Sequence, residues 1–235
     1  LIVYDLKNDL SLKFRSKTAF PNGIPGHLKS DWISHFHPQF ISRANGGRIW
    51  DTDGNEYIDF MCGFGTNLLG YNHPKVDEAA RRQQAIADCT TGTSPLTLEL
   101  AETFIEKVAH ADWTMFAKNG SDATTICVLA ARAQTGKKII LRSEGAYHGA
   151  GVWCASGPGI IDSDHDNQLT FTYNDTESLE AAVVQAGDDL AGIILPPHKQ
   201  DNFEQDHELP TLQFAQTART LCDDTGAALI LDDVR

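Results

Sequence analysis

Asn119-Gly120-Ser121-Asp122 stands between a short apolar run and a stretch with helical spacing, in "FAKNGSDATTICVLAARAQTG" (116–136). Asn119 can cap that helix, with Asp122 three residues on as in a capping box. Gly120 lets a ligand approach the backbone closely, and the open N–H groups and dipole of a helix start attract an anion. A second candidate is "GAYHGAG" (145–151). There Tyr147 offers a stacking face, His148 a ring nitrogen, and the glycines room for a flat molecule. A third is "LILDDV" (229–234), where Asp232 and Asp233 close an apolar run.

Each motif has a plain structural counterpart: a capped helix, a glycine-rich loop with a half-buried aromatic, and a strand-end carboxylate capping the next turn. Two carboxylates after a buried strand also resemble the magnesium-holding strand of a nucleotide hydrolase, which needs a G-x-x-x-x-G-K-[ST] loop elsewhere. The only Gly-Lys pair is Gly136-Lys137, with Ala131 in place of the first glycine and Lys138 in place of Ser or Thr. That pattern fails. Taken together, the three motifs describe one ligand, a phosphorylated aromatic ring with a basic nitrogen, and pyridoxal 5'-phosphate (PLP) is such a molecule. Its phosphate would lie on 119–121 and its ring on Tyr147. The carboxylate of Asp232 would hold the ring proton, which makes the ring an electron sink.

The elements that must position these residues follow from the hydrophobic pattern. Short apolar runs occur at "WTMFA", "KIIL", "LTFTY", "AGIIL" and "AALIL", with helical stretches over 121–134, 176–186 and 211–224. Non-alternating apolar strands separated by helices indicate an α/β domain with a mostly parallel sheet covered on both faces. In such sheets ligands bind beyond the carboxyl ends of the strands, where all three motifs fall. Upstream, residues 1–46 read as an irregular arm punctuated by Pro21, Gly23, Pro25, Gly26 and Pro38. "GRIWDTDGNEYIDF" reads as a β-hairpin turning at Asp53-Gly54. "HPKVDEAARRQQAIAD" and "PLTLELAETFIEKVAH" read as helices, the second amphipathic through Leu98, Ala101, Ile105 and Val108.

In order and spacing these motifs resemble a class III (subgroup II) pyridoxal-phosphate-dependent aminotransferase of the glutamate-1-semialdehyde 2,1-aminomutase-like branch, in its N-terminal portion. The likeness runs from about Phe40 to Arg235 and includes "LGYNHPKV", "LTLELAE", "FAKNGSDAT", "ARAQTGKKII", "EGAYHG" and "LILDDV". It implies the large domain of a fold-type I PLP-dependent transferase, preceded by an N-terminal arm and β-hairpin. The arm, hairpin and a substrate-facing loop would occupy 1–70 and the PLP-binding large domain 71–235, incomplete at its C-terminal end. By matching position, Asn119, Gly120 and Ser121 would bind phosphate, where the family usually has Ser-Gly-Thr. Tyr147 would stack on one ring face and Val234 press the other. Asp232 would pair with the ring nitrogen as the catalytic carboxylate, backed by His148. Phe64, in "CGFGTNLLG", would face substrate.

The resemblance further implies a cytoplasmic homodimer with active sites at the subunit interface. It would move an amino group between a small-molecule amino donor and a keto or aldehyde acceptor, or within one semialdehyde. The family's Schiff-base lysine follows the aspartate on a later strand, so it is expected beyond Arg235. Of the ten lysines here only Lys118 emerges beside the motifs, at the wrong place for that role. Pro196-Pro197 stands where the family commonly has Glu-Pro, and Asp233 where it has glutamate. Two other classes stay open at this point: a non-catalytic PLP-binding module lacking the lysine, and a nucleotide-binding α/β hydrolase.

Bulk properties agree with a soluble enzyme. The 235 residues carry a formal charge of -13, which argues against a nucleic-acid partner. The first fifty residues are the basic exception, with seven Lys/Arg against three Asp/Glu. No apolar stretch is long enough to span a bilayer. Five scattered cysteines without a CxxC pair suggest reduced thiols and a cytoplasmic protein. The chain stops at "ALILDDVR", directly after a strand-like run, which suggests a piece of a longer chain. "DSDHDNQ" imitates a calcium loop but has Asn167 at the sixth position and Tyr173 at the twelfth. "HFH" (His35, His37) lacks further ligands at metal spacing, and Gly63-Phe64-Gly65 lacks the third glycine of a dinucleotide fingerprint.

Overall fold

A computed structural model describes residues 4–25, 30–32, 34, 37–199 and 207–234. Two compact units divide the chain, Leu1–Thr114 and Met115–Val234, so residue 70 lies inside the first.

The N-terminal unit opens on helix α1 (Lys7–Ala19), where the punctuation suggests only an irregular arm. That punctuation begins at Pro21, and 7–19 contain no helix breaker; what they lack is an apolar stripe. The helix is held by distant polar partners instead. Asp53 accepts the N–H groups of Asn8 (2.7 Å) and Asp9 (2.9 Å), replacing a local cap. Asp9 is fully buried, pairs with Lys13 at 2.8 Å and accepts the N–H groups of Gln39 and Phe40.

Strands β1 (Ile41–Asn45), β2 (Arg48–Asp51) and β3 (Glu56–Ile58) form an antiparallel sheet in that order. The hairpin expected at Asp53-Gly54 joins β2 to β3, with Gly54 at φ +87. Asp51, 1% exposed, organises the turn by accepting from Asp53, Asn55 and Tyr57. Burial pulls its pKa upward, but the bonds from Asn55, Tyr57 and Asp53 together outweigh burial and hold the carboxyl below its ordinary range. Helices α2 (Pro74–Ile86) and α3 (Pro95–Lys107) each begin on proline, whose missing N–H is no loss there. Neither helix buries a residue, so their apolar side chains stay open, among them Leu98, Leu100 and Phe104.

The apolar run 113–117, read from the sequence as a strand, does not become one. A strand needs a neighbour to complete its backbone hydrogen bonds, and none of the described strands pairs with it. Trp113, Met115 and Phe116 remain exposed.

The remaining elements appear as the pattern indicates: α4 (Gly120–Thr135), β4 (Ile139–Ser143), β5 (Gln168–Phe171), α5 (Thr176–Ala186), β6 (Leu190–Leu195), α6 (Leu212–Thr225) and β7 (Ala228–Leu231). The four strands are parallel, in the order β5-β4-β6-β7. β6 has a neighbour on both edges and a core on both faces, which is why all six of its residues are buried. Leu141 and Ile193 point to one core with Phe171, Leu179 and Phe214; Ile140 and Ile194 point to the other with Val128 and Ala131. Each such fully buried Ile, Leu or Phe contributes roughly 1.5–3 kcal/mol. β5 lies to one side of β4, and β6 and β7 to the other, so the order in which strands are added reverses between β4 and β6. That reversal is where α/β sheets open a crevice.

Two buried weak acids in the C-terminal unit set its alkaline limit. Burial pushes the Cys222 thiol from 9.0 to about 11. Burial, then the charge of Glu208, pushes the Tyr173 phenol from 10.0 to about 12. Both folded values lie above the unfolded ones, so the stability they contribute is complete below pH 9 and is lost as pH rises through about 11 and 12. Urea midpoints are expected to hold up to about pH 9 and fall steeply above it. Cys222→Ala is expected to remove the first part of that fall.

Candidate active site

The start of α4 is built as its sequence indicates. Asn119 is extended (φ -154) and its Oδ1 accepts the N–H of Asp122 at 2.9 Å. The reciprocal bond runs from Asn119 Nδ2 to the Asp122 carboxylate at 3.0 Å, closing the cap through side chains. Gly120 and Ser121 lie in the first turn, where N–H groups have no intrahelical partner, so the helix presents donors and a positive dipole end. Val234 sits beside this turn: a Cβ on Gly120 would lie 3.4 Å from its Cγ2.

The loop after β4 is fastened to the same turn. Ala150 donates its N–H to Ser121 Oγ at 2.9 Å, and Thr124 Oγ1 donates to the carbonyl of His148 at 2.7 Å. Between them Gly149 lies so close to Ser121 that a Cβ would sit 2.5 Å from Oγ and 2.8 Å from Cα. Its φ of +109 is open only to glycine. Tyr147 stays outside, 43% exposed, while His148 turns inward and is 2% exposed.

β7 delivers the third component. The N–H of Asp232 bonds to the carbonyl of Leu195 at 2.9 Å, carrying the β6–β7 ladder one residue past the strand. Asp232 Oδ2 lies 2.7 Å from His148 Nδ1, with side chains 7% and 0% exposed. Nδ1 donates in that bond, and Nε2 is buried with no hydrogen-bond partner among the described residues. Asp232 Oδ1 is left to meet a second donor. The field of this carboxylate reaches α4: burial first, then the Asp232 charge, raises the Cys127 thiol pKa.

Asn119, Gly120, Ser121, Tyr147, His148, Asp232 and Val234 therefore come from three chain segments that meet. The meeting place offers an anion-binding helix start, an exposed aromatic, and a buried carboxylate with one oxygen in reserve. Phe64 belongs to the N-terminal unit, at φ +58 and 45% exposed. A hollow of about 290 Å³ in that unit is lined by Gly46, Asp59, Cys62 and Tyr71 among others. Asp59 is fully engaged there by Met61, Cys62 and Tyr71, so the hollow presents no unpartnered charge. Thr124 and Trp153 escaped the sequence pattern, and Gly149 entered it only as one of the glycines of "GAYHGAG", not for its approach to Ser121. Gly149 follows His148 directly in "AYHG", and its place in that motif was the one available signal.

Among the described residues no group of His, Cys, Asp and Glu could hold a metal ion. "DSDH" forms a short 3-10 turn, with Asp164 accepting the N–H of Ile161. His37 contacts the carbonyl of Pro38, and His35 lies outside the described residues. No described helix is long and apolar enough to cross a membrane.

The ends of parallel strands, a helix start with open N–H groups and a buried carboxylate thus converge in one α/β domain. The chain belongs to the class-III aminotransferase family, whose model matches residues 30–235. It is 45% identical over 225 residues to an aminopentol aminotransferase of Sphingopyxis macrogoltabida, covering 95% of this chain and 53% of that protein. It is 33% identical over 235 residues to a glutamate-1-semialdehyde 2,1-aminomutase of Desulforamulus reducens, covering 94% and 53%. The structure of the Sphingopyxis sp. MTA144 FumI protein in its PLP internal aldimine form superposes with a TM-score of 0.93 at 44% identity, over 97% of this chain and 55% of that one. The chain spans about half the length of the curated relatives it matches.

Proposed function

We propose that the full protein is a PLP-dependent aminotransferase in which this chain grips the cofactor. One observation carries the reading: a single loop is bonded at Ala150 to the anion-binding turn and at His148 to the buried carboxylate. A phosphorylated pyridine needs those two contacts at opposite ends. The N–H groups of Gly120 and Ser121 and the Ser121 hydroxyl hold the phosphate, with Asn119 fixing the turn. Tyr147 covers one ring face and Val234 the other. Asp232, steadied by His148, uses Oδ1 to keep a proton on the ring nitrogen. When bound, PLP supplies an electrophilic carbon and an electron sink for amino-group transfer. None of the ten lysines occupies the family's Schiff-base position, so that residue belongs, in this reading, to protein beyond Arg235.

The apolar faces of α2 and α3, with no residue buried in their own unit, support a homodimer in which a second copy covers them. Phe64 faces substrate across that assembly, and the enzyme is cytoplasmic. The relative at 45% identity makes an amine bearing hydroxyl groups the first donor to test.

The full-length protein is expected to saturate with PLP, show a visible band and lose it when a donor amine is added. ATP and magnesium are expected to leave the band unchanged. Saturation by ATP with no PLP uptake would sink the reading in favour of a nucleotide hydrolase. PLP uptake with no response to any amine would leave a binding module.

A further inference from the structure

Beyond the residues that touch the cofactor, a second layer joins its two ends. The Trp153 indole N–H donates to Thr125 Oγ1 at 3.0 Å, and Thr125 Oγ1 in turn donates to the Ser121 carbonyl at 2.8 Å. The indole lies alongside the His148 ring, with centroids 6.4 Å apart and planes within 12°. Room for this comes from Gly151, where a Cβ would lie 3.0 Å from the indole and 3.2 Å from Thr125 Oγ1. Trp153 also packs against the core under α4. The path runs Ser121, Thr125, Trp153, His148, Asp232, starting at the anion site and ending at the carboxylate.

Each link has a physical task. Among the described residues the His148 ring has one hydrogen bond, through Nδ1, so the rest of its orientation depends on the side chains packed around it. Its Nε2 has no hydrogen-bond partner among the described residues to hold it. The near-parallel Trp153 indole, its centroid 6.4 Å away, is one of the groups that flank the imidazole. Thr125, in its turn, fixes the indole plane through Nε1 while bonding the carbonyl of the phosphate-binding residue.

We propose that Trp153 and Thr125 are positioning residues that couple the phosphate end of the site to the Asp232 end. The inference rests on the PLP reading and deepens it. Neither residue touches the cofactor; each acts through Ser121 or His148.

The test uses the full-length PLP-loaded protein and two readouts, the dissociation constant for PLP and the pH midpoint of its visible band. Trp153→Leu removes both the indole bond and the ring beside His148. It is expected to weaken PLP about tenfold, the scale of one lost positioning contact, and to move the midpoint. Trp153→Phe keeps a ring beside His148 and loses the bond to Thr125. It is expected to weaken PLP by a few-fold and keep the parental midpoint. Thr125→Val breaks the same bond from the other side, so the double variant Trp153→Phe/Thr125→Val is expected to be no worse than the poorer single. A merely structural role would lower thermal stability and leave the midpoint in place. Should Trp153→Leu fail to fold, additive losses in the Phe and Val pair overturn the proposal, and non-additive ones support it. A parent protein that takes up no PLP sinks the reading underneath; a parent that binds PLP, matched by Trp153→Leu in both readouts, sinks this inference alone.

Discussion

Asp232→Asn in the full-length protein is expected to lower the rate of amino-group transfer by about a hundred- to a thousandfold, the range seen when one preorganised electrostatic partner is removed. Asparagine preserves the volume and an acceptor for His148 Nδ1, which lies 2.7 Å from the carboxylate. It removes the negative charge. In the proposed pairing a protonated ring nitrogen would then face a neutral amide, where Asp232 and His148 are 7% and 0% exposed and solvent would not substitute for the lost charge. The ring would give up its proton more readily and withdraw electrons less well. PLP is still expected to bind through its phosphate, though more weakly. Steady-state rates with a saturating donor, read beside PLP content, separate these effects. An asparagine variant within tenfold of the parent would contradict the assigned role.

Gly149→Ala is expected to cost more stability than any other single methyl group in the site. The residue's φ of +109 suits glycine alone, and forcing alanine there costs about 1–3 kcal/mol. The added Cβ would also lie 2.5 Å from Ser121 Oγ and 2.8 Å from Ser121 Cα. The backbone atom cannot rotate away, so the helix start or the loop must move, at about a further 1–3 kcal/mol. Either movement would disturb the bond from Ala150 to Ser121 Oγ and, with it, the proposed phosphate cradle. Urea denaturation and PLP titration should both register the change. Gly145→Ala, with nothing within 4 Å of its Cβ but a φ of +72, controls for backbone strain without the collision.

How much the sequence revealed depended on whether the cause was local. α5 falls on 176–186 as the pattern indicates because its determinants lie within a dozen residues: Asp175 caps it, and Leu179, Ala182 and Val183 make its buried stripe. The buried strands were legible for the same reason, since a strand covered on both faces is a continuous apolar run. α1 was hidden because its cap, Asp53, and the backbone N–H groups that Asp9 accepts lie 30 to 45 residues away. The run 113–117 misled in the opposite sense: its composition suits a strand, but pairing requires a neighbour.

The site divides along the same line. Asn119, Ser121, Tyr147 and Asp232 could be singled out because each follows a strand-like run. Their assembly rests on contacts that no window reveals, such as His148 with Asp232 across 84 residues. Gly149 matters through the space it leaves for Ser121, and Trp153 through a ring it lies beside. Absent side chains and shared planes leave no trace in composition or periodicity.

What has to hold for the rest is that one small molecule spans the gap from the head of α4 to the tail of β7. A crystal structure of the full-length protein with PLP measures this directly. The phosphate should lie within hydrogen-bonding reach of the Gly120 and Ser121 N–H groups, and the pyridine nitrogen should meet Asp232 Oδ1. Cofactor bound elsewhere, or with its nitrogen facing away from Asp232, would contradict the account.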